Sequence, residues 1–415
     1  MLGKAERVLG LRLRRDPRTD VYLSIGPECP GNRETETMLR LLHLSDVHLG
    51  ARHPELGTAG AAQRERQWQA FERALELAAA EDCAVALISG DLFDSNAQPR
   101  RSVERVAKAV GSAVSAGVTV AILPGDCDPF DASSVYRTYD LAALAGMPDA
   151  DGIHVLEPGR RILVLPALDL AVRAYQAAEG KSLDEALGEP LDEPETGVRM
   201  RVGVAHIAPG GAAPSEAAVV ASGLDYLALG GTMSPSQGAA ATRRWADPGP
   251  IESMGELGDV GQALLVALDP DGRQRVRIEQ RPVGRTRRRQ LEVAVDAFPD
   301  EHALVEHLSA LADPDLACDV HLAGSRPPGL LVDEAALEAR LESGFLHLRI
   351  HDESVAPVPA GPAPAPGSIA GAFLLDVGGR IAAATAEGRS GDARELGEIR
   401  DLGMRQLAGS SGMPV

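Results

Sequence analysis

The sequence predicts an α/β fold, on three observations. From residue 38 to about 284, short apolar runs alternate with amphipathic stretches of helical period. Two of those runs, Leu41 to Gly50 (LLHLSDVHLG) and Ile88 to Asp94 (ISGDLFD), break off into acidic loops, as buried strands do where they reach a polar edge. Near Gly284 the pattern starts afresh in strand–helix–strand–helix–strand order, which predicts a second and smaller α/β unit.

Taken in order, strands are expected at 39–44, 84–89, 118–123, 153–156, 161–166, 200–205 and 225–229, and helices at 62–80, 99–116, 134–145 and 168–180. The first helix sets Trp68, Phe71, Leu75 and Leu77 toward one side, a core-packing face. Segment 181–198 is acidic with Pro and Gly, so it reads as a helix end followed by a surface loop. Residues 260–267 and 274–283 flank the turn Asp269-Pro-Asp-Gly272 and predict a hairpin. The smaller unit carries strands at 290–296, 317–323 and 346–352 with helices near 300–312 and 333–344. Pro357 to Pro366 is a Pro/Ala-rich extended linker, and helices follow at 368–388 and 391–408. The expected division is therefore a loose tail over 1–37, a main domain over 38–284, a cap over 285–354, a linker over 355–367 and C-terminal helices over 368–415. The tail lacks an apolar signal region, and Met38 reads as the working start.

Composition narrows the classes. With 415 residues the chain can build two cores, and 44% hydrophobic with 24% charged residues is globular rather than disordered. No wholly apolar run of membrane-spanning length is visible, so no membrane partner is expected. Cys29, Cys83, Cys127 and Cys318 lie far apart without ligand spacing and read as free thiols of a reducing compartment, the cytoplasm. The net charge of −19 argues against a general affinity for nucleic acid. Arg243-Arg244 and the run Arg285 to Arg289 read as solvated basic faces on an acidic protein.

The chemistry lies where the first strands end. In an extended segment residues two apart point the same way, so Asp46 and His48 are expected to face one metal ion. Asp91 stands at the tip of the next strand, where its carboxylate could bridge two ions, with Asp94 beyond it. HLSDVHLG and SGDLFD together resemble the opening motifs of the calcineurin-like metallophosphoesterases, whose series runs D-x-H, G-D, G-N-H-[DE], H and G-H-x-H. With VAHI at 204–207, GLDYLALG at 223–230 and ADPGPIESMGELGDVGQALLVAL at 246–268, the wording is most similar to SbcD-type exonuclease subunits of DNA double-strand-break repair.

That resemblance implies a metallophosphoesterase β-sandwich flanked by helices, with a smaller α/β cap. It implies two divalent cations, usually manganese. Asp46, His48 and Asp91 would hold one; Asp91, the Asn of the third motif, the lone His and a His of the last motif would hold the other. Metal-activated water would attack phosphorus in line, while the third-motif His helps the leaving oxygen depart. A coiled-coil ABC-type ATPase (SbcC-like), bound partly through the C-terminal helices, and DNA are the implied partners, with room for a homodimer.

This sequence departs from the pattern in its second half. The third motif reads LPGDCDPF, so Asp126 replaces the Asn ligand and Cys127 the catalytic His, while Asp128 keeps its acidic place. His206 stands where the lone metal-binding His belongs. At the last motif Gly231 and Met233 replace both histidines. The implied protein ligands shrink to Asp46, His48, Asp91, Asp126 and His206. A thiol is a poor imidazole substitute, and losing a positioned general acid lowers turnover on the order of 10²- to 10⁴-fold. Three functions follow: an impaired phosphodiesterase, a non-catalytic DNA-end or ATPase-binding subunit, or a small-phosphoester phosphatase. Restoring His at 127, 231 and 233 together is expected to raise metal occupancy. His43 reads as core, lining a substrate groove is the lesser reading of His53, His154 lies near the motifs in sequence, and the cap histidines (His302, His307, His321, His347, His351) show no ligand spacing.

Overall fold

The computed structural model describes residues 14–16, 19–22, 38–148, 151–176, 181–189, 197–255, 258, 260–272, 274–327, 329–355 and 364–409. Of the predicted tail, the described residues form an antiparallel pair, β1 (Arg14–Asp16) and β2 (Thr19–Tyr22). The first large sheet starts with four parallel strands, β3 (Leu39–Leu44), β4 (Val85–Ser89), β5 (Thr119–Leu123) and β6 (Ile153–Val155). Helices α1 (Gly60–Ala80) and α2 (Arg100–Ser115) cover its outer face.

The chain then builds a second sheet from β7 (Ile162–Leu165), β8 (Leu170–Tyr175), β9 (Met200–His206), β10 (Tyr226–Gly230), β11 (Ser236–Ala240) and β12 (Arg243–Asp247). Their spatial order is β11-β12-β10-β9-β8-β7. The hairpin β13 (Gln262–Leu268) and β14 (Val276–Pro282) returns to the first sheet and pairs antiparallel with β3, giving the order β14-β13-β3-β4-β5-β6.

Strand periodicity explains the layers. In β3, Leu42 and Leu44 point outward onto Phe71, Leu75, Val106 and Val110 of the two helices. Leu41 points inward, where Leu87 and Leu123 meet Val172, Val202, Val204 and Tyr226 of the second sheet. With both faces covered, the strands read as continuous apolar runs. His43 also faces inward and is fully buried: its Nδ1 lies 2.8 Å from the Tyr226 hydroxyl, and its Nε2 lies 2.8 Å from Ser89 Oγ and 3.0 Å from the Leu229 carbonyl. Burial, partly opposed by that carbonyl, pushes its pKa down to about 3, so it is a neutral tie between the sheets.

Several expectations are corrected. The helix expected at 168–180 is strand β8, because Leu170, Val172 and Ala174 alternate into the inter-sheet core. A turn with Asp169 at φ 54° folds it back against β7; residues 177–180 lie outside the described set. The helix expected at 134–145 is two single turns, α3 (Val135–Thr138) and α4 (Leu141–Leu144), since the Asp140 carboxylate accepts from the Ala143 N–H at 3.0 Å and starts a new helix. Strands β11 and β12 had no alternating signal; β12 exists because β10 offers it a parallel edge. In the acidic segment only α5 (Leu183–Leu187), closed by a Ser182–Glu185 capping box, is described before residue 190. It packs with α6 (Glu216–Ala221) on the outer face of the second sheet.

The cap follows the expected order: β15 (Arg287–Ala294), α7 (Glu301–Ser309), β16 (Asp313–Ala323), α8 (Glu334–Leu341) and β17 (Phe345–Asp352), all three strands parallel. The Arg285 to Arg289 run is consumed locally. Arg285 pairs with Asp315 at 3.1 Å, Arg287 with Asp313, and Arg288 with Asp319 at 3.6 Å. Of the linker, residues 356–363 lie outside the described set. Helices α9 (Ile369–Ala386) and α10 (Ser390–Gly409) then pack on each other. By length and composition α9, with mean hydropathy 1.4, is long and apolar enough to cross a membrane, contrary to expectation. Its only charges, Asp376 and Arg380, pair at 3.2 Å one turn apart and interrupt an otherwise apolar Ala/Gly-rich stretch.

One buried carboxylate joins body and cap. Glu252, only 1% exposed, accepts the backbone N–H groups of Arg285 at 2.9 Å and Thr286 at 2.8 Å. Thr286 Oγ1 donates to Gln63 Oε1 at 2.7 Å, and Arg66 of α1 reaches Asp315 of β16 at 2.8 Å. Glu252→Ala leaves two buried donors without partners and should destabilise the protein by on the order of 2–4 kcal/mol. Urea unfolding of wild type and variant measures this.

Candidate metal centre

The C-terminal ends of β3, β4, β5, β9 and β10 meet at one edge of the two-sheet sandwich, the usual place for a site in a parallel α/β sheet. Asp46 and His48 do not converge by strand alternation, because β3 ends at Leu44. Both sit in left-handed backbone, at φ 48° and 47°, and Asp91 does so at φ 50°. For residues with a Cβ this conformation costs on the order of 1 kcal/mol each and clusters at functional sites. The two loops are laced together: the His48 N–H donates to the Asp91 carbonyl at 2.8 Å and the Leu49 N–H to the Leu92 carbonyl at 3.0 Å.

Four expected residues come together around Asp91. His206 Nε2 lies 3.5 Å and His48 Nε2 3.7 Å from Asp91 Oδ2; His48 Nε2 is also 4.0 Å from Asp46 Oδ1. Two groupings have all ligand atoms within 4.8 Å of one another: Asp46, Asp91 and His206, and His48, Asp91 and Cys127. Asp126, expected as a ligand, is exposed and joins neither; the Cys127 thiol takes that place. The reason lies in the turn. The Cys127 N–H donates to Asp91 Oδ1 at 2.8 Å, and Asp128, fully buried, accepts from the N–H groups of Gly125 and Phe93 and from the Tyr136 hydroxyl.

Two glycines set the close approaches. Gly90 has φ +99°, and a Cβ there would stand 2.0 Å from His206 Nδ1. Gly231 has φ +97°, and a Cβ there would stand 2.0 Å from the Ile207 carbonyl oxygen. The Gly231 N–H donates to both oxygens of Asp46, at 3.2 and 3.0 Å. A backbone donor therefore faces Asp46 from the position where the family pattern has an imidazole. Met233 is 37% exposed and belongs to neither ligand grouping. The expected gain from restoring His at 231 is corrected accordingly, since the backbone has no room for that side chain.

Sequence reasoning missed Asp247 and gave Asp94 no role. Asp247, 1% exposed, accepts from Ser45 Oγ at 3.1 Å, Gly249 N–H at 2.8 Å and Thr232 Oγ1 at 2.8 Å. It fastens the Gly231–Thr232 loop to the first motif; burial and the nearby Asp46 push its pKa up to about 6. Asp94 Oδ1 lies 3.5 Å from His48 Nδ1 and faces that ring from outside the ligand groupings. His53 is buried, with Nε2 2.9 Å from Gln67 Oε1, which leaves out the lesser reading that it lines a groove.

The residues fit a divalent cation. His206 donates Nδ1–H to the Ser89 carbonyl at 3.0 Å, which leaves the Nε2 lone pair toward Asp91. His48 is 8% exposed; with Asp94 facing its Nδ1, its Nε2 is the nitrogen turned toward Asp91. Burial raises the Asp46 carboxyl above its usual range despite His206 and the Gly231 N–H. Asp91, also buried, is held low by its contact with His206, by the Cys127 N–H and by His48. For His206 burial is outweighed by Asp91 and Asp46, which lift it to about 9. The Cys127 thiol is pushed up to about 12 by burial and then by Asp91, so it is a poor proton donor to a leaving group.

Residues 39–230 match the family model described as calcineurin-like phosphoesterase. These residues form a calcineurin-like phosphoesterase domain. The chain is 28% identical over 261 residues to the DNA double-strand break repair protein Mre11 of Aeropyrum pernix, covering 59% of this chain and 62% of that protein. The chain thus spans less than two thirds of that relative's length. Among solved structures, TT1561 of Thermus thermophilus aligns with TM-score 0.37 and 15% identity, over 60% of this chain and 100% of that one.

Gly231→His should lower stability by at least about 2 kcal/mol, because a strained φ and a backbone clash coincide; thermal and urea unfolding check it. The pH dependence of this cluster has a definite sign. The His206 imidazolium stabilises the metal-free protein fully below its ordinary value of 6.5, and that contribution is lost as pH rises through about 9. A cation displaces this proton, so metal affinity rises over the same interval. Calorimetric titration in two buffers of different ionisation enthalpy should show proton release at neutral pH.

Proposed function

We propose that this chain is a divalent-metal phosphodiesterase of the DNA-repair exonuclease type with strongly reduced turnover. The observation that carries the reading is the split between a retained and a lost half of the site. Asp46, His48, Asp91 and His206 converge from three strand ends, while Gly231 and Cys127 stand where imidazoles belong. In this reading residues 38–284 are the catalytic body, 285–354 the cap and 368–415 a partner arm.

Asp46, Asp91 and His206 would hold one cation, manganese being the natural choice, and His48 with Asp91 would contribute to a second. Bound cations would polarise a phosphoryl oxygen and supply an activated water. The protein's own part is positioning. The Cys127 N–H fixes Asp91 Oδ1 and leaves Oδ2 for the cation side, and Asp247 holds the Gly231 loop against Asp46. What is missing is the acid at 127, worth on the order of 10²- to 10⁴-fold.

A second reading, a subunit that binds DNA ends or an ATPase partner without turnover, is favoured by the C-terminal hairpin. Ile369 is 80% exposed, Leu375 66% and Leu402 54%, an apolar surface suited to a coiled-coil partner.

Manganese-stimulated cleavage of double-stranded DNA ends separates the two. Weak cleavage that Asp91→Ala abolishes, and that Cys127→His raises by at least about tenfold, is the expected result. No cleavage above the Asp91→Ala background, in either wild type or Cys127→His, would leave the binding subunit as the function.

A further inference from the structure

We propose that Cys127 Sγ is itself a metal ligand, making the His48–Asp91–Cys127 half of the site one for a thiophilic divalent cation such as zinc or cobalt rather than manganese. The inference rests on the reading above that this edge of the sandwich binds metal, and it assigns one ligand and one metal class within it.

The geometry of the cluster carries it. The ligand atoms of His48, Asp91 and Cys127 all lie within 4.8 Å of one another. Asp126, the oxygen donor that the third motif would supply, is exposed and outside both groupings. His48 is buried to 8% exposure, with Nε2 3.7 Å from Asp91 Oδ2 and Asp94 facing Nδ1 from the other side, so Nε2 is the nitrogen presented to a cation. Finally, the Cys127 N–H is bonded to Asp91 Oδ1 at 2.8 Å, so one backbone contact fixes the thiol beside the carboxylate it would share a cation with.

The donor set decides the metal class. One sulfur, one imidazole nitrogen and one carboxylate oxygen with an open fourth position is a zinc-type set. Manganese favours oxygen donors and gains little from sulfur. The Asp46–Asp91–His206 half keeps two oxygens and one nitrogen, so Asp91 would bridge two unlike sites. Binding is balanced by loss of the thiol proton to solvent as the sulfur–metal bond forms.

Cobalt(II) titration of the metal-free full-length protein, followed by near-ultraviolet absorption and calorimetry, tests this. Wild type should develop a thiolate-to-cobalt charge-transfer band that zinc suppresses and equimolar manganese does not. Cys127→Ser, a near-isosteric change, should lose the band and weaken zinc binding by at least about tenfold. It should still take up manganese, and Cys83→Ser should keep the band. Calorimetric cobalt binding without the band, or a band that survives Cys127→Ser, overturns the inference and leaves the metal site standing. Absence of any cobalt, zinc or manganese binding overturns both.

Discussion

The Asp91 carboxylate sits at the tip of β4 among His206, His48 and the Cys127 N–H, and the rest of the site is arranged around it. It lies in left-handed backbone, next to a glycine against which His206 packs. Its loop is fixed from both sides, by the first-motif loop through backbone hydrogen bonds and by the β5 turn through Asp128. Buried carboxylates so close together repel, and without a cation the two imidazoles are the charges that offset them. That requirement explains why the strained turns persist: the surrounding sheets hold the groups where a cation, rather than water, would neutralise them.

The packing that supports this centre is largely apolar and redundant. Strands β3, β4 and β5 of the first sheet are covered by helices outside and by the second sheet inside, so the ends of β3, β4, β9 and β10 are presented together at one edge. His43, Ser89 and Tyr226 add a polar tie between the sheets directly beneath the site. The cap is attached differently. Its junction depends on the buried Glu252 and on Arg66, polar contacts that fix orientation more than they add area.

At the last motif the backbone itself takes part in the site. Gly231 adopts a conformation in which its N–H serves Asp46 and its Cα hydrogen faces a carbonyl. A position where the family pattern has an imidazole is here a turn, and Asp247 with Thr232 locks it. Divergence at Cys127 is of another kind, because the thiol still points into the centre and retains a donor atom there.

The sequence by itself determined the α/β class, the strands bearing Asp46, His48, Asp91 and His206, and the order of the cap, because these depend on apolar periodicity and short-range motifs. It misread 168–180 as helix, although Leu170, Val172 and Ala174 keep the two-residue period of a strand, because the second sheet that this face covers exists only in the fold. It could not foresee β12, which forms on an edge supplied by β10, nor Asp247, whose partners Ser45 and Thr232 are distant in the chain. Which atoms face one another was likewise decided only in three dimensions. Asp126 turns to solvent and Cys127 turns inward because a backbone hydrogen bond to Asp91 and the burial of Asp128 fix that turn, contacts that exist only once β4 and β5 lie side by side.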